Sequence, residues 1–156
     1  VTLTFARESL IAIREEAEPL LRREWEAASE DRELFPYDPN WVLYAALEKA
    51  GSIRFFTMRD AVLLGYIGFY VSWNAHSQRL RTATSDVWWV EPSARFGGAS
   101  MRLVTYAETA LAEEGVRVAH IQTNERHPAP ARMLEHSGHR LVGHLWSKNL
   151  GVEFHA

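Results

Sequence analysis

The chain contains no cysteine, which excludes disulfide bonds, thiolate metal ligands and a cysteine nucleophile. That absence fits a reducing compartment. Lysine is nearly absent too, occurring only as Lys49 and Lys148, and no glycine turn carries the lysine of a G-x-x-x-x-G-K-[S/T] phosphate loop. The longest apolar stretch, Val62 to Val71, is broken by glycines and is about half the ~20 residues a bilayer span needs. No charged leader with a small-residue cleavage site precedes the first helix-like segment, so a soluble cytoplasmic protein with no membrane partner is expected. An excess of one charge is also missing. The net charge is -3, from 17 basic and 20 acidic residues spread along the chain. The short Arg79-Leu80-Arg81 patch makes no basic stripe, which counts against nucleic acid as a partner. The seven histidines form no H-E-x-x-H pair or other ligand spacing, and no metal site is expected.

What is present suffices for one domain over residues 1–156, with 47% apolar residues to fill one core. Leu10, Ile13, Ala17, Leu20 or Leu21, and Trp25 recur at helical spacing between Ser9 and Ala28, with Pro19 predicting a kink or a break. A turn-rich segment, Phe35 to Asn40, caps a second helix over Trp41 to Ala50, ended by Gly51. Strands follow at Ile53 to Met58 and Val62 to Trp73. The second carries Leu63, Ile67 and Phe69 on one side and Leu64, Tyr66 and Tyr70 on the other, as an interior strand covered on both faces does. Asn74 to Arg81 reads as a loop, and Thr82 to Glu91 as a strand stopped by Pro92. A helix with Leu103, Val104, Ala107 and Leu111 on its apolar stripe leads to a strand at Val116 to Thr123. A short helix within His127 to Ser137 and a last strand at Arg140 to Lys148 close the chain, and Val1 to Phe5 offers a further edge strand. The order predicts an α/β fold of three layers, with a mixed central sheet and helices on both faces.

Arg95-Phe96-Gly97-Gly98-Ala99-Ser100 lies where a strand has ended and a long helix begins. Unpartnered main-chain N–H groups point outward there, glycines admit a phosphate closely, and Arg95 adds charge. A dinucleotide fingerprint fits poorly, because G-x-G-x-x-G is missing.

The stretch Val90-Glu91-Pro92-Ser93-Ala94-Arg95-Phe96-Gly97-Gly98-Ala99-Ser100 resembles the acyl-CoA motif of the GCN5-related N-acetyltransferase (GNAT) superfamily, valine-x-proline followed by [Gln/Arg]-x-x-Gly-x-[Gly/Ala]. Arg95 takes the first motif position, Gly98 the central glycine and Ser100 the last small residue. Ala131 to His139 is similar to the family's Ala-x-x-Leu-Tyr-Glu-x-x-Gly-Phe segment, and Leu145 to Leu150 to the end of relatives found in phage-derived gene clusters. The resemblance implies transfer of an acetyl group from acetyl-CoA to an amine of a small molecule or peptide. It also implies main-chain contacts to the pantetheine arm from the strand containing Trp88, Trp89 and Val90. The pyrophosphate would rest on Arg95, Phe96, Gly97, Gly98, Ala99 and Ser100, with Asn124 near the cofactor.

Amide formation from a thioester needs a proton acceptor for the amine. Asp86, four residues before Val90, is the first candidate, with His127, His76 and His120 as further proton carriers. His120, inside an apolar strand, also reads as a core histidine. Leu134 falls where the family carries the tyrosine that faces the CoA sulfur, and a leucine cannot protonate a thiolate. An enzyme of this kind requires an open acceptor cavity bordered by Asp86, the first two helices and the Asn74 to Arg81 loop. A CoA-binding or structural interaction module would have that cavity filled. Exposed tryptophans or tyrosines on the early helices would favour a homodimer.

Overall fold

The computed structural model describes residues 2–29, 32 and 35–148. The elements run β1 (Thr4–Glu8), α1 (Arg14–Ala28), α2 (Trp41–Lys49), β2 (Ile53–Asp60), β3 (Val62–Asn74), β4 (Ser77–Val90), α3 (Ala99–Glu113), β5 (Val116–His120) and α4 (Pro128–His136). One sheet has the order β1-β2-β3-β4-β5. β1 to β4 are antiparallel neighbours, and β5 joins β4 in parallel. The mixed three-layer arrangement expected from the sequence is the one observed.

Two apolar layers sandwich the sheet. Phe56, Met58, Ile67, Phe69, Val71, Ala83 and Val90 pack with Leu103, Val104, Ala107 and Leu111 of α3 and Leu134 of α4. Phe55, Leu63 and Tyr66 pack with Leu10, Ala17, Leu20 and Leu21 on the opposite face. β3 is central and covered on both faces, as its apolar composition predicts. Its alternation breaks once, however. Met58 is opposite Gly65 and Arg59 opposite Leu63, so Leu64 is an extra residue in the ladder. The bulge moves Leu63 to the α1 face and leaves Ile67 and Phe69 on the α3 face, correcting the expectation that these three share a side.

α1 is one continuous helix despite Pro19. The missing N–H and ring clash cost about 3 kcal/mol in a helix interior, and burial of Ala17, Leu20 and Leu21 against the sheet offsets this. Glu15 and Glu16 sit in the first turn, where the helix dipole favours negative charge. Asn40 caps α2, its Oδ1 accepting from Leu43 N–H at 2.9 Å. The aromatics Trp25, Tyr37, Trp41 and Tyr44 are partly buried within the chain's own fold.

Two segments differ from expectation. The Asn74 to Arg81 loop is a tight hairpin, because β4 already begins at Ser77 and Asn74 Oδ1 accepts from His76 N–H at 2.8 Å. The strand expected at Arg140 to Lys148 is absent from the described residues, where 139–148 carry no regular structure. A strand needs a ladder partner, and among the described residues nothing pairs with this segment. Leu141, Val142, Leu145 and Trp146 are exposed. Among the described residues no helix is long and apolar enough to cross a membrane.

Candidate active site

β4 and β5 pair from Arg81 opposite Val116 to Thr84 opposite His120, and then they part. Gln122 N–H donates to Ser85 Oγ at 2.9 Å where the separation begins. Farther along, Glu91 N–H donates to the Leu64 carbonyl at 2.8 Å. By alternation, Val90 and Trp88 therefore turn their main-chain groups away from β3, into the gap. Trp88 N–H donates to Glu24 Oε1 at 2.9 Å, and the Val90 carbonyl accepts from Arg95 Nε at 2.7 Å.

On one side of this open edge the chain turns into α3. Gly97 and Gly98 have φ of 56° and 70°, in the left-handed region where a Cβ is costly. A Cβ at either would meet nothing within 4 Å. The glycines are therefore required by backbone shape and open approach, with packing playing no part. Gly98 caps α3 without a side-chain acceptor for its first-turn N–H groups, leaving a cradle suited to an anion. A cleft of about 520 Å³ borders it, lined by Gly98, Met101, Arg132, Met133 and His136 among others. Ala99 and Ser100 are buried and Phe96 is exposed. Arg95 folds back, with its guanidinium 4.7 Å from the Trp89 ring centroid. Arg132 was missed by sequence reasoning; its i, i+4 spacing to His136 on α4 was the available signal.

On the other side lies a cavity of about 780 Å³, lined by Glu24 and Trp25 of α1, Tyr37 before α2, Tyr44 of α2, Tyr70 of β3 and Val87 of β4, among others. Asp86 reaches this region because of a second bulge. Gly68 is opposite Val87 and Phe69 opposite Ser85, so Asp86 is the extra residue. Ala83 packs toward α3, whereas Val87 and Trp89 pack toward α1 and α2. Asp86 Oδ2 accepts from the Tyr44 hydroxyl at 2.7 Å, and Tyr70 also lies against it. Burial and the Asp86 charge push the Tyr70 hydroxyl up to about 12 and raise that of Tyr44 further, so both remain donors.

Glu24 went unnoticed in the sequence, where it is one acid among many on the polar side of α1. Its Oε2 accepts from the Tyr66 hydroxyl at 2.6 Å, and its Oε1 holds Trp88 N–H. Burial pushes its carboxyl up to about 7. The bonds from Tyr66 and Trp88 oppose that rise, and the Asp86 charge adds to it. No cation is within salt-bridge distance of Glu24 among the described residues.

The other expected site residues are dispersed. His127 Nε2 lies 2.9 Å from the Ala27 carbonyl, and Asn124 Nδ2 donates to the Ala28 carbonyl at 3.0 Å, so both close onto the end of α1. His76 is at the β3–β4 hairpin. His120 ends β5 exposed and is no core histidine, because β5 is a sheet edge. Tyr106 of α3, which is not among the expected site residues, packs on Phe5 and Phe56, toward β1. Leu134 is buried in the α3 layer. Among the described residues, neither Asp86 nor the hairpin at 75–76 lines the 780 Å³ cavity, contrary to expectation; Asp86 adjoins it only through its hydrogen bond from Tyr44.

The family model described as the acetyltransferase (GNAT) family matches residues 11–139. No curated protein sequence matches the chain significantly. A ribosomal-protein-alanine N-acetyltransferase from Brucella melitensis biovar Abortus superposes with a TM-score of 0.74 at 16% identity, covering 96% of this chain and 100% of its own. An aminoglycoside acetyltransferase from an uncultured soil metagenomic sample gives 0.77 at 15% identity, covering 97% and 100%. The AAC(6')-Iy structure with a CoA-containing bisubstrate analogue gives 0.66 at 11% identity, covering 96% and 98%. At such identities these likenesses speak for the fold.

Proposed function

The chain belongs to the acetyltransferase (GNAT) family, and from that premise we propose that it transfers an acetyl group from acetyl-CoA to a primary amine. The observation that carries this reading is the parted edge of β4, flanked by the uncapped α3 N-terminus on one side and by an open cavity on the other. The pantetheine arm would run along Trp88, Trp89 and Val90, past Asn124. The pyrophosphate would rest on the turn Phe96 to Ser100, within reach of Arg95 and Arg132. Asp86, exposed and held by tyrosine, would meet the acceptor's ammonium group. His127 would hold the end of α1 over the site.

An acceptor that is a small-molecule or peptide amine fits a cavity with aromatic walls and the Glu24 carboxylate, with Asp86 hydrogen-bonded to its Tyr44. Leu134 supports a second reading, a CoA-binding module with weak turnover, because its buried side chain offers no acid to a leaving thiolate. Calorimetric titration with acetyl-CoA tests the cofactor site. Saturable binding at one site per chain is expected, and no binding at millimolar ligand would overturn both readings. Thiol release with sisomicin, an alanine-leading peptide and 1,4-diaminobutane then separates turnover from binding alone.

A further inference from the structure

Glu24 reaches from α1 across the layer boundary to the open edge of β4, and it also lines the acceptor-side cavity. A carboxylate that only tied a helix to a sheet would be expected to find an arginine, as others in this chain do. Glu24 instead has a hydroxyl on one oxygen and a main-chain N–H on the other, 2.6 and 2.9 Å away. Each oxygen keeps a further lone pair. The carboxylate therefore stands beside the main-chain donors along which the thioester is proposed to lie, on the side from which an amine would enter.

We propose that Glu24 is the proton acceptor in acyl transfer, a catalytic role that rests on the acetyltransferase reading above. The amine nitrogen attacks the thioester carbonyl carbon and forms the C–N bond. Its proton passes to the Glu24 carboxylate, directly or through one water. The C–S bond breaks, and the departing thiolate takes a proton from solvent. An amide and a free thiol balance the amine and thioester consumed. Asp86, exposed beside the cavity, orients the incoming ammonium, which gives one proton to solvent to become the attacking amine, and Glu24 afterwards returns its own proton to solvent. Tyr44 and Tyr70 hold Asp86 in place.

The groups facing Glu24 are Tyr66 from β3, Asp86 from β4, Tyr44 from α2 and Tyr37 from the segment before α2. None is a cation. With its carboxyl at about 7, Glu24 is protonated below neutrality and available as a base above it, so kcat/KM should rise with pH through that region.

The experiment measures thiol release from acetyl-CoA with the three amines named above, across pH 5.5 to 9.5, together with calorimetric acetyl-CoA binding. Glu24→Gln should lower kcat at least ~100-fold and leave only the amine's own inflection, with acetyl-CoA affinity within about threefold of wild type. Tyr66→Phe should remain active and move the inflection to higher pH, because it removes a donor that favours the carboxylate. That displacement would not follow from a purely structural role. A Glu24→Gln enzyme within threefold of wild-type rate, or one keeping the inflection near neutrality, overturns the assignment while leaving the acetyltransferase reading intact. A wild-type protein that binds acetyl-CoA and acetylates none of the amines overturns the transfer reading, and the role of Glu24 with it.

Discussion

Glu8 and Glu24 both anchor the sheet beneath α1, one near each end of that helix, and their environments drive them in opposite directions. Burial raises the carboxyl of Glu8, but Arg59 and Thr57 outweigh it and hold the group below the usual range. Arg59 lies 2.8 Å from both Glu8 and Glu16, and the Thr57 hydroxyl donates to Glu8. Glu24 has equivalent hydroxyl help from Tyr66 but meets Asp86 where Glu8 meets an arginine. The difference teaches that two things separate them: Glu24 is far more deeply buried than Glu8, and Glu8 has an arginine to hold its charge where Glu24 has another carboxylate.

The strongest way to break that contrast is to remove the cation. Arg59→Met should destabilise the fold by about 2 kcal/mol at pH 7, below the full cost of breaking a buried pair because the groups are partly exposed. The loss should shrink at acid pH, as Glu8 takes up a proton below its lowered folded value. Urea unfolding at pH 7 and at a series of values from pH 4.5 down to 3 checks both statements.

A smaller effect distinguishes the two glutamates by the pH dependence of their stability. Glu24 holds its proton more tightly folded than unfolded, so its contribution to stability falls as pH rises from 4.5 through about 7. The melting temperature of Glu24→Gln relative to wild type should therefore increase from pH 5 to pH 8. Glu8 behaves in the opposite sense. Its contribution is present above 4.5 and lost as pH falls through its lowered folded value, so Glu8→Gln should lose most of its deficit in acid. Thermal scans of the two variants across pH 3.5 to 8 would show curves of opposite slope; parallel curves would remove the distinction.

The smallest expected effect sharpens the Glu24 environment itself. Asp86→Asn removes a negative neighbour and should lower the Glu24 inflection by a few tenths of a pH unit, measured by ¹³C NMR titration of the side-chain carboxyl. An upward shift would contradict the placement of the two carboxylates.

The sequence made the order of elements legible through period alone. Helical stripes such as Leu103, Val104, Ala107 and Leu111 pack as their spacing predicts, and β3 is central because both of its faces are apolar. The glycine turn was also readable, since few residues other than glycine accept the backbone of Gly97 and Gly98. The bulges were not readable. Nothing local marks Leu64 or Asp86 as an extra residue, because a bulge is a mismatch between two strands. The final strand failed for a related reason: apolar residues at 141–146 make a strand only if a ladder partner is present.

By itself, then, the sequence determined the α/β class, the strand-helix-strand order from β4 through α3 to β5, and the glycine turn before α3, all of which follow from periodicity and backbone permission within short windows. It also brought Asp86 into consideration by its spacing from Val90. Only the tertiary structure decided which carboxylate stands at the open edge of β4. Glu24 is 64 residues from Trp88, and its raised proton affinity arises from burial and from the Asp86 charge, against the opposing hydrogen bonds of Tyr66 and Trp88 and with no cation near it among the described residues. Those are properties of what surrounds the side chain after folding, and no window along α1 contains them.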